Sequence, residues 1–390
     1  MTQLAGFFKM QIPGGVLDMS IEDILERSAL PHVKEIVPYP PGKPIEELER
    51  EWGVKGSIKL ASNENPLGPS SKAVEAMKEA MTRLHRYPDG AGYYLRKKLS
   101  EKTGRPFQGV MLGAGSDDII DMAVRALMTV GDVAVSPFPT FLMYSKFVAA
   151  VGGKLRETSL HSFRIDVDDL LNAVEPQTKL VFLCNPNNPT GVALSSGELE
   201  KLMEGVPPET IVFFDEAYVE FAQGPDIPNG LDYLDKYANM IVTRTFSKIY
   251  GLAGVRVGYG FTHPDLAAIL NRVRQPFNVN ALGQIGALAA LDDEEFLRKT
   301  QNLVWDGLKF FYAELDKMGL EYVPTQTNFF LVKVGPAKRV YEEMLKEGVI
   351  IRNMDSYGLH EHIRINVGLP EENSRCIKTL QKVMERIRNQ

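Results

Sequence analysis

Four short segments hold residue types that can do chemistry together. The sharpest is Thr245-Phe246-Ser247-Lys248, followed by Gly251-Leu252-Ala253-Gly254 and Arg256. A lysine in a small-residue loop after a strand can act as a Schiff-base nucleophile once its amine loses a proton, and a nearby cation favours that loss. Ser247 and Arg256 are natural phosphate ligands. A second segment, Gly113-Ala114-Gly115-Ser116-Asp117, lies between a strand and a helix. Glycines let the backbone approach an anion, and the helix start offers free N–H groups and a positive dipole end. It lacks the lysine of a P-loop, and its bland alternative is a tight turn with a helix cap.

The third segment is Asn185-Pro186-Asn187-Asn188-Pro189-Thr190-Gly191, whose prolines and glycine make a rigid turn at a strand's carboxyl end. In the fourth, Asp215-Glu216-Ala217-Tyr218, an apolar strand ends in a carboxylate with a phenol three residues on. A buried carboxylate is costly without a cationic partner, and a protonated ring nitrogen would be one. Taken alone, Asp215 could equally be a helix cap.

The elements that must position these groups follow from the pattern of apolar runs. Val110–Leu112, Val133–Val135, Lys179–Cys184, Ile211–Phe214 and Met240–Thr243 are short and apolar, with helical stretches such as 116–128, 140–151 and 195–203 between them. Strands without polar alternation are buried on both faces, which predicts an α/β fold with a mainly parallel mixed sheet flanked by helices. Such sheets bind ligands beyond their carboxyl ends. Past Pro264 helices dominate (265–274, 281–291, 294–318). Strands at 329–334, 349–352 and 363–367 and a helix at 371–388 then predict a smaller α+β C-terminal domain. The expected division is 1–60 as extension and arm, 61–290 as large cofactor-binding domain, and 291–390 as small domain. Residues 1–15 read as irregular, Ser20 as an N-cap with Asp23 behind it, 38–44 as an extended Pro-rich arm, and 46–51 as a solvated helix face.

The chain has 390 residues, 44% hydrophobic and 24% charged, with a formal net charge of -6. That is ordinary for a globular enzyme and argues against nucleic acid or an anionic membrane surface as the partner. Two cysteines suit a reducing compartment, no apolar run is long enough to span a membrane, and the expected location is the cytoplasm. His360 and His362 alternate on one strand face, but no ligand cluster supports them, so no metal is expected.

Together the four segments resemble the fold-type I pyridoxal-phosphate enzymes, the aspartate aminotransferase superfamily, over about residues 30–390. The resemblance implies pyridoxal 5'-phosphate carried on Lys248 as a Schiff base, with Lys248 displaced by the substrate amine and then serving as general base. It further implies Asp215 on the pyridinium nitrogen, Asn188 and Tyr218 on the ring oxygen, and Phe141 stacked on the ring. Gly115, Ser116, Asp117, Thr245, Ser247 and Arg256 would hold the phosphate. Tyr87 would reach the phosphate of a neighbouring subunit, which implies a homodimer.

Within the superfamily the chain is most similar to the histidinol-phosphate aminotransferases. The similarity rests on residues 37–44 (VPYPPGKP), 61–69 (ASNENPLGP), 86–90 (RYPDG), Asn328-Phe329, 350–352 (IIR), 363–368 (IRINVG) and 371–373 (EEN). It implies transamination of an amino alcohol phosphate with 2-oxoglutarate. Arg364 and Arg352 would be the anion ligands, Tyr39 a contact from the partner's arm, and Asn65 part of the substrate entrance. Leu67 and Phe141 depart from the tyrosines that many relatives carry there. Residues 1–18 extend past the usual family start, which makes Met19 a candidate initiator. The competing readings are an aromatic amino-acid aminotransferase and an amino-acid phosphate decarboxylase on the same scaffold.

Overall fold

A computed structural model describes residues 8–12, 15–40 and 42–389. It opens with a hairpin in which β1 (Phe8–Ile12) runs antiparallel to β2 (Gly15–Met19). The expected irregular start is thus corrected from Phe8 onward, while residues 1–7 lie outside the described residues. The overlooked signal was spacing, because two residues between strand-length runs suit a hairpin. Ser20 does cap the next helix, Ile21–Ser28. Its hydroxyl accepts from the Asp23 N–H at 3.1 Å and the Asp23 carboxylate accepts from the Ser20 N–H at 3.0 Å.

The described part of the Pro-rich arm (38–40 and 42–44) carries neither helix nor strand, and Arg352 Nη2 donates to the Pro40 carbonyl at 2.9 Å. The helix Ile45–Trp52 turns Leu48 fully inward, while Glu47 and Glu51 pair with Lys43 at 3.1 and 2.6 Å. The strand that follows, β3 (Ile58–Lys59), leads into residues 60–65, which reappear at the site.

The large sheet is built from β4 (Val110–Gly113), β5 (Val133–Phe138), β6 (Lys154–Ser159), β7 (Thr178–Cys184), β8 (Ile211–Asp215), β9 (Met240–Thr245) and β10 (Gly258–Thr262). Its order is β4-β10-β9-β8-β7-β5-β6, parallel except for β10, which is antiparallel to both neighbours. This is the expected mainly parallel mixed sheet. Met111, Phe182, Phe213 and Ile241 pack under one layer of helices, and Leu112, Val181, Phe214 and Val242 under the other. That two-sided burial removes polar alternation from the central strands.

Two strands escape the sequence pattern. At the edge, β6 reads Lys-Leu-Arg-Glu-Thr-Ser and is half solvated, so no apolar run marks it. In β10, Gly258 and Gly260 interrupt the run. Because β10 is antiparallel to β9, no crossover helix precedes it, and the short return over 246–257 is the loop that bears Lys248.

A second, four-stranded antiparallel sheet follows, in the order β11 (Tyr322–Val323), β12 (Phe329–Lys333), β15 (His362–Asn366), β14 (Arg352–Asn353). The expected strand over 349–352 is divided. β13 (Val349–Ile350) pairs in parallel with β3, and β14 pairs with β15. Residues from near the start of the chain are therefore stitched to its last third. Among the described residues no helix is long and apolar enough to cross a membrane.

The Lys248 loop is pressed against the segment after β3. Gly251 has φ +67°, and a Cβ there would lie 2.0 Å from the Gly68 carbonyl oxygen. Gly251→Ala should destabilise the fold by about 2 kcal/mol or more, the sum of left-handed strain and overpacking. A drop in the urea midpoint with an unchanged slope would register it.

Candidate active site

The chemistry-bearing residues meet beyond the carboxyl ends of β4, β7, β8 and β9. A cavity of about 150 Å³ is lined by Ser116, Asp117, Phe141, Cys184, Asn188, Asp215, Ala217, Tyr218, Thr245, Ser247, Lys248, Ala253 and Arg256. Nearly all of the expected cofactor contacts are thus brought together from five separate stretches of chain.

Asp215 ends β8 and is 2% exposed. Its carboxylate accepts from the Tyr144 hydroxyl at 3.0 Å and the Thr243 hydroxyl at 3.3 Å. Both donors are neutral, and among the described residues no cation pairs with it. Burial therefore dominates and pushes its pKa up to about 7, with the Tyr144 hydrogen bond opposing that rise. Tyr144 and Thr243 were missed in the sequence. Each is an ordinary core residue by pattern, and only the fold aims its hydroxyl at Asp215.

Lys248 projects from the β9–β10 return. Its Nζ donates to the Ser62 carbonyl at 3.4 Å and lies 5.7 Å from the Tyr218 ring centre. Burial, then repulsion from Arg364, lowers its pKa to about 8, so an appreciable fraction is neutral amine near pH 7.

The anion cradle forms at the helix Ser116–Leu127. Gly115 is its N-cap at φ 86° and has no side chain to cap the first turn, whose N–H groups have no partner within the helix. A Cβ on Gly115 would lie 2.3 Å from Arg256 Nη2, so glycine is what lets the guanidinium approach. Arg256 also donates to the Ser247 hydroxyl at 3.4 Å and sits 3.5 Å from the Asp117 carboxylate. Thr245 Oγ1 accepts from the Ser247 N–H at 3.1 Å, which shapes the turn before Lys248.

The asparagine-rich turn divides its labour. Asn185 accepts from the Leu194 N–H at 2.7 Å, and Asn187 bonds Pro139, Thr140 and Thr190, so both fix the turn. Asn188 faces the cavity, and its Oδ1 accepts from Arg364 Nη1 at 2.5 Å. Arg364 is 6% exposed. Its Nη2 donates to the Ala61 carbonyl at 3.0 Å and its Nε has no partner among the described residues. A buried guanidinium held only by neutral oxygens is suited to an incoming anion.

The remaining expected residues lie elsewhere. Arg352 sits at the edge of the Pro-rich arm, 5.8 Å from the ring of Tyr39 of its own chain. Asn65 does not line this cavity but a neighbouring cleft with Lys59, Glu64 and Asn366, and its amide donates to the Ile249 carbonyl at 2.8 Å, bracing the Lys248 loop. Tyr87 is 82% exposed and stacked on Phe277 at 4.6 Å, away from its own chain's cavity. His360 pairs with Asp355 at 3.0 Å and the His362 ring packs on Phe163, so the two do not face a common point.

Pyridoxal phosphate, the cofactor implied by the sequence resemblance, fits this donor set. Asp215 offers a carboxylate without a cation, the uncapped helix with Ser247 and Arg256 offers a phosphate seat, and Lys248 offers an amine of lowered pKa.

Residues 55–380 match the family model for aminotransferase class I and II, and the chain belongs to that family. Over 361 residues it is 46% identical to histidinol-phosphate aminotransferase 2 of Carboxydothermus hydrogenoformans, spanning 92% of this chain and 99% of that protein. Histidinol-phosphate aminotransferase 1 of Nitrosococcus oceani is 43% identical over 368 residues, spanning 94% and 100%. Its branch of the family is accordingly that of the histidinol-phosphate aminotransferases. The Sinorhizobium meliloti histidinol-phosphate aminotransferase, crystallised in complex with pyridoxal-5'-phosphate, matches with a TM-score of 0.85 and 27% identity over 92% of this chain and 98% of that chain. A Thermus thermophilus aspartate aminotransferase mutant matches at TM-score 0.79 and 20% identity over 92% of this chain and 100% of that chain, a likeness of fold.

The raised Asp215 pKa has a consequence for stability. The folded state holds this proton more tightly than the unfolded chain, whose carboxyl titrates near 3.8. The stabilising contribution is therefore complete below about pH 4 and is lost as pH rises through about 7. Cofactor-free wild type should lose stability between pH 5 and 8 relative to Asp215→Asn, as thermal melts at the two pH values would reveal.

Proposed function

We propose that the protein is a pyridoxal-phosphate-dependent aminotransferase that moves the amino group of L-histidinol phosphate to 2-oxoglutarate, giving imidazole acetol phosphate and glutamate in histidine biosynthesis. One observation carries the reading from geometry: Arg364, buried and held only by neutral oxygens, bonds Asn188 at the wall of the cavity that holds Lys248 and Asp215. The named activity of the full-length relatives supplies the substrate. A guanidinium fork binds a phosphate or a carboxylate with the same paired donors, so one arginine can serve both amino donor and 2-oxoglutarate.

When bound, pyridoxal phosphate supplies an aldehyde that condenses with amines and a ring that withdraws electrons from the carbon bearing the amine. Asp215 would pair with a protonated ring nitrogen and hold that electron-withdrawing form. Ser116, Asp117, Thr245, Ser247 and Arg256, with the Gly115 backbone, would anchor the phosphate. Phe141 would cover the ring face, and Asn188 and Tyr218 would donate to the ring oxygen. Lys248 Nζ accepts the proton from the substrate's amine-bearing carbon, a role suited to an amine already depressed to about 8. Arg364 orients the anionic end of the substrate, and Arg352, which lines a separate cleft beside the Pro-rich arm, is the second anion ligand in this reading, with Tyr39 near it.

The active unit in this reading is a homodimer in the cytoplasm. Tyr87 is expected to bond a cofactor phosphate, yet it is exposed and does not line its own chain's cavity, which supports its serving a second copy. The buried free cysteines Cys184 and Cys376 suit a reducing compartment.

Purified protein should form glutamate from histidinol phosphate and 2-oxoglutarate. A stronger preference for phenylalanine or tyrosine would overturn the substrate, and carbon dioxide release would overturn the reaction class. Lys248→Ala should abolish both turnover and the cofactor fixed by borohydride, and fixation at another lysine would refute the assignment. Arg364→Gln should lower kcat/KM for donor and acceptor alike by roughly 10- to 100-fold, the range set by one lost charged hydrogen bond.

A further inference from the structure

Three consecutive residues, Ala61, Ser62 and Asn63, touch three site residues. The Ala61 carbonyl accepts from Arg364, the Ser62 carbonyl from Lys248, and the Asn63 side chain reaches Tyr218. Asn63 is 2% exposed, at φ 55°. The left-handed region admits asparagine at lower cost than most residues, yet glycine would fit better. What asparagine adds is its amide. Asn63 Nδ2 donates to the Tyr218 hydroxyl at 2.8 Å.

The backbone of Asn63 is held from the small sheet. Its N–H donates to Asn366 Oδ1 at 3.1 Å, and its carbonyl accepts from Asn328 Nδ2 at 3.1 Å. Both clamps lie on or beside strands of the C-terminal sheet, whereas Tyr218 follows β8 of the large one. The backbone of Asn63 is therefore fixed, and Tyr218 is the one partner of its side-chain amide, whose Oδ1 has none among the described residues.

A phenol that already accepts a hydrogen bond must direct its own proton elsewhere. Tyr218 is 4% exposed, and among the described residues no acceptor takes that proton. Tyr218 lines the cavity with Lys248 and Asn188. The charged and titratable groups that face Tyr218 are Lys248, Arg364, Cys184 and Tyr357.

We propose that Asn63 is a positioning residue that acts through Tyr218, occupying the phenol's acceptor side so that its O–H points into the cavity at the cofactor's ring oxygen. This rests on the cofactor reading given above. A donor at that oxygen lowers its basicity, so the bound chromophore releases its proton at lower pH.

The test is a pH titration of the visible absorbance of the cofactor-loaded protein. Tyr218→Phe should raise the midpoint by about one unit, the value of one hydrogen bond to a charged oxygen. Asn63→Gly keeps the backbone conformation, deletes the amide and should raise it by roughly half a unit or more on the same scale. Asn63→Asp, a second variant that tolerates this φ, replaces the donor with an acceptor for the phenol proton and should also raise it. In the Tyr218→Phe background neither change at 63 should add to the shift. An unchanged midpoint in both single variants, or full additivity with Tyr218→Phe, would overturn the proposal. Failure of the wild type to take up the cofactor would instead overturn the reading beneath it.

Discussion

This fold buries a carboxylate without a cation in its chamber and, behind the Asn188 wall of that chamber, a guanidinium without an anion. Asp215 has only hydroxyl partners among side chains, and Arg364 has only neutral oxygens. Each uncompensated buried charge costs several kcal/mol of desolvation even after relaxation. Close by, a second buried carboxylate is paired. Glu216, next in the chain after Asp215, lies 2.7 Å from Arg244 and accepts from the Gly230 N–H. The two unmatched groups are complementary to a ligand with a cationic ring nitrogen and to a substrate with an anionic end.

The rest of the architecture serves to hold those two charges near one lysine. Asp215 and Lys248 are set by adjacent parallel strands, β8 and β9, whose neighbouring ends fix their separation. Arg364 comes from the other sheet, through β15. What joins the two is the strip over 58–65. It pairs with β13, takes the Arg364, Lys248 and Tyr218 contacts in three successive residues, and ends with Asn65 bracing the lysine loop. A displacement of this strip would disturb the anion ligand, the amine and the phenol together.

Much of this was legible before any coordinates. Central strands buried on both faces leave unbroken apolar runs, so their positions along the chain and the α/β class are legible directly. The glycine turn at 113–115, the carboxylate at the end of β8 and the lysine after β9 announced themselves because each breaks such a run with a residue that burial penalises. Strands that obey other rules stayed hidden: the edge strand β6, solvated along one side, and β10, interrupted by glycine. The opening strands β1 and β2 are only five residues each, and β2 lacks a clean apolar alternation, so local pattern marks the hairpin weakly.

By itself, then, the sequence determined the chemistry of the chain, since a reactive amine, a ring partner and a phosphate cradle are properties of residue type and of position at strand ends. Tertiary structure alone decided which neutral groups tune them. Tyr144 and Thr243 look like core residues in sequence, and Asn63 and Asn65 look interchangeable. The fold points one asparagine at Tyr218 and the other at the Ile249 carbonyl. The reason is range: these hydrogen bonds join residues as far as 303 positions apart, a distance over which local pattern carries no information and only packing sets direction.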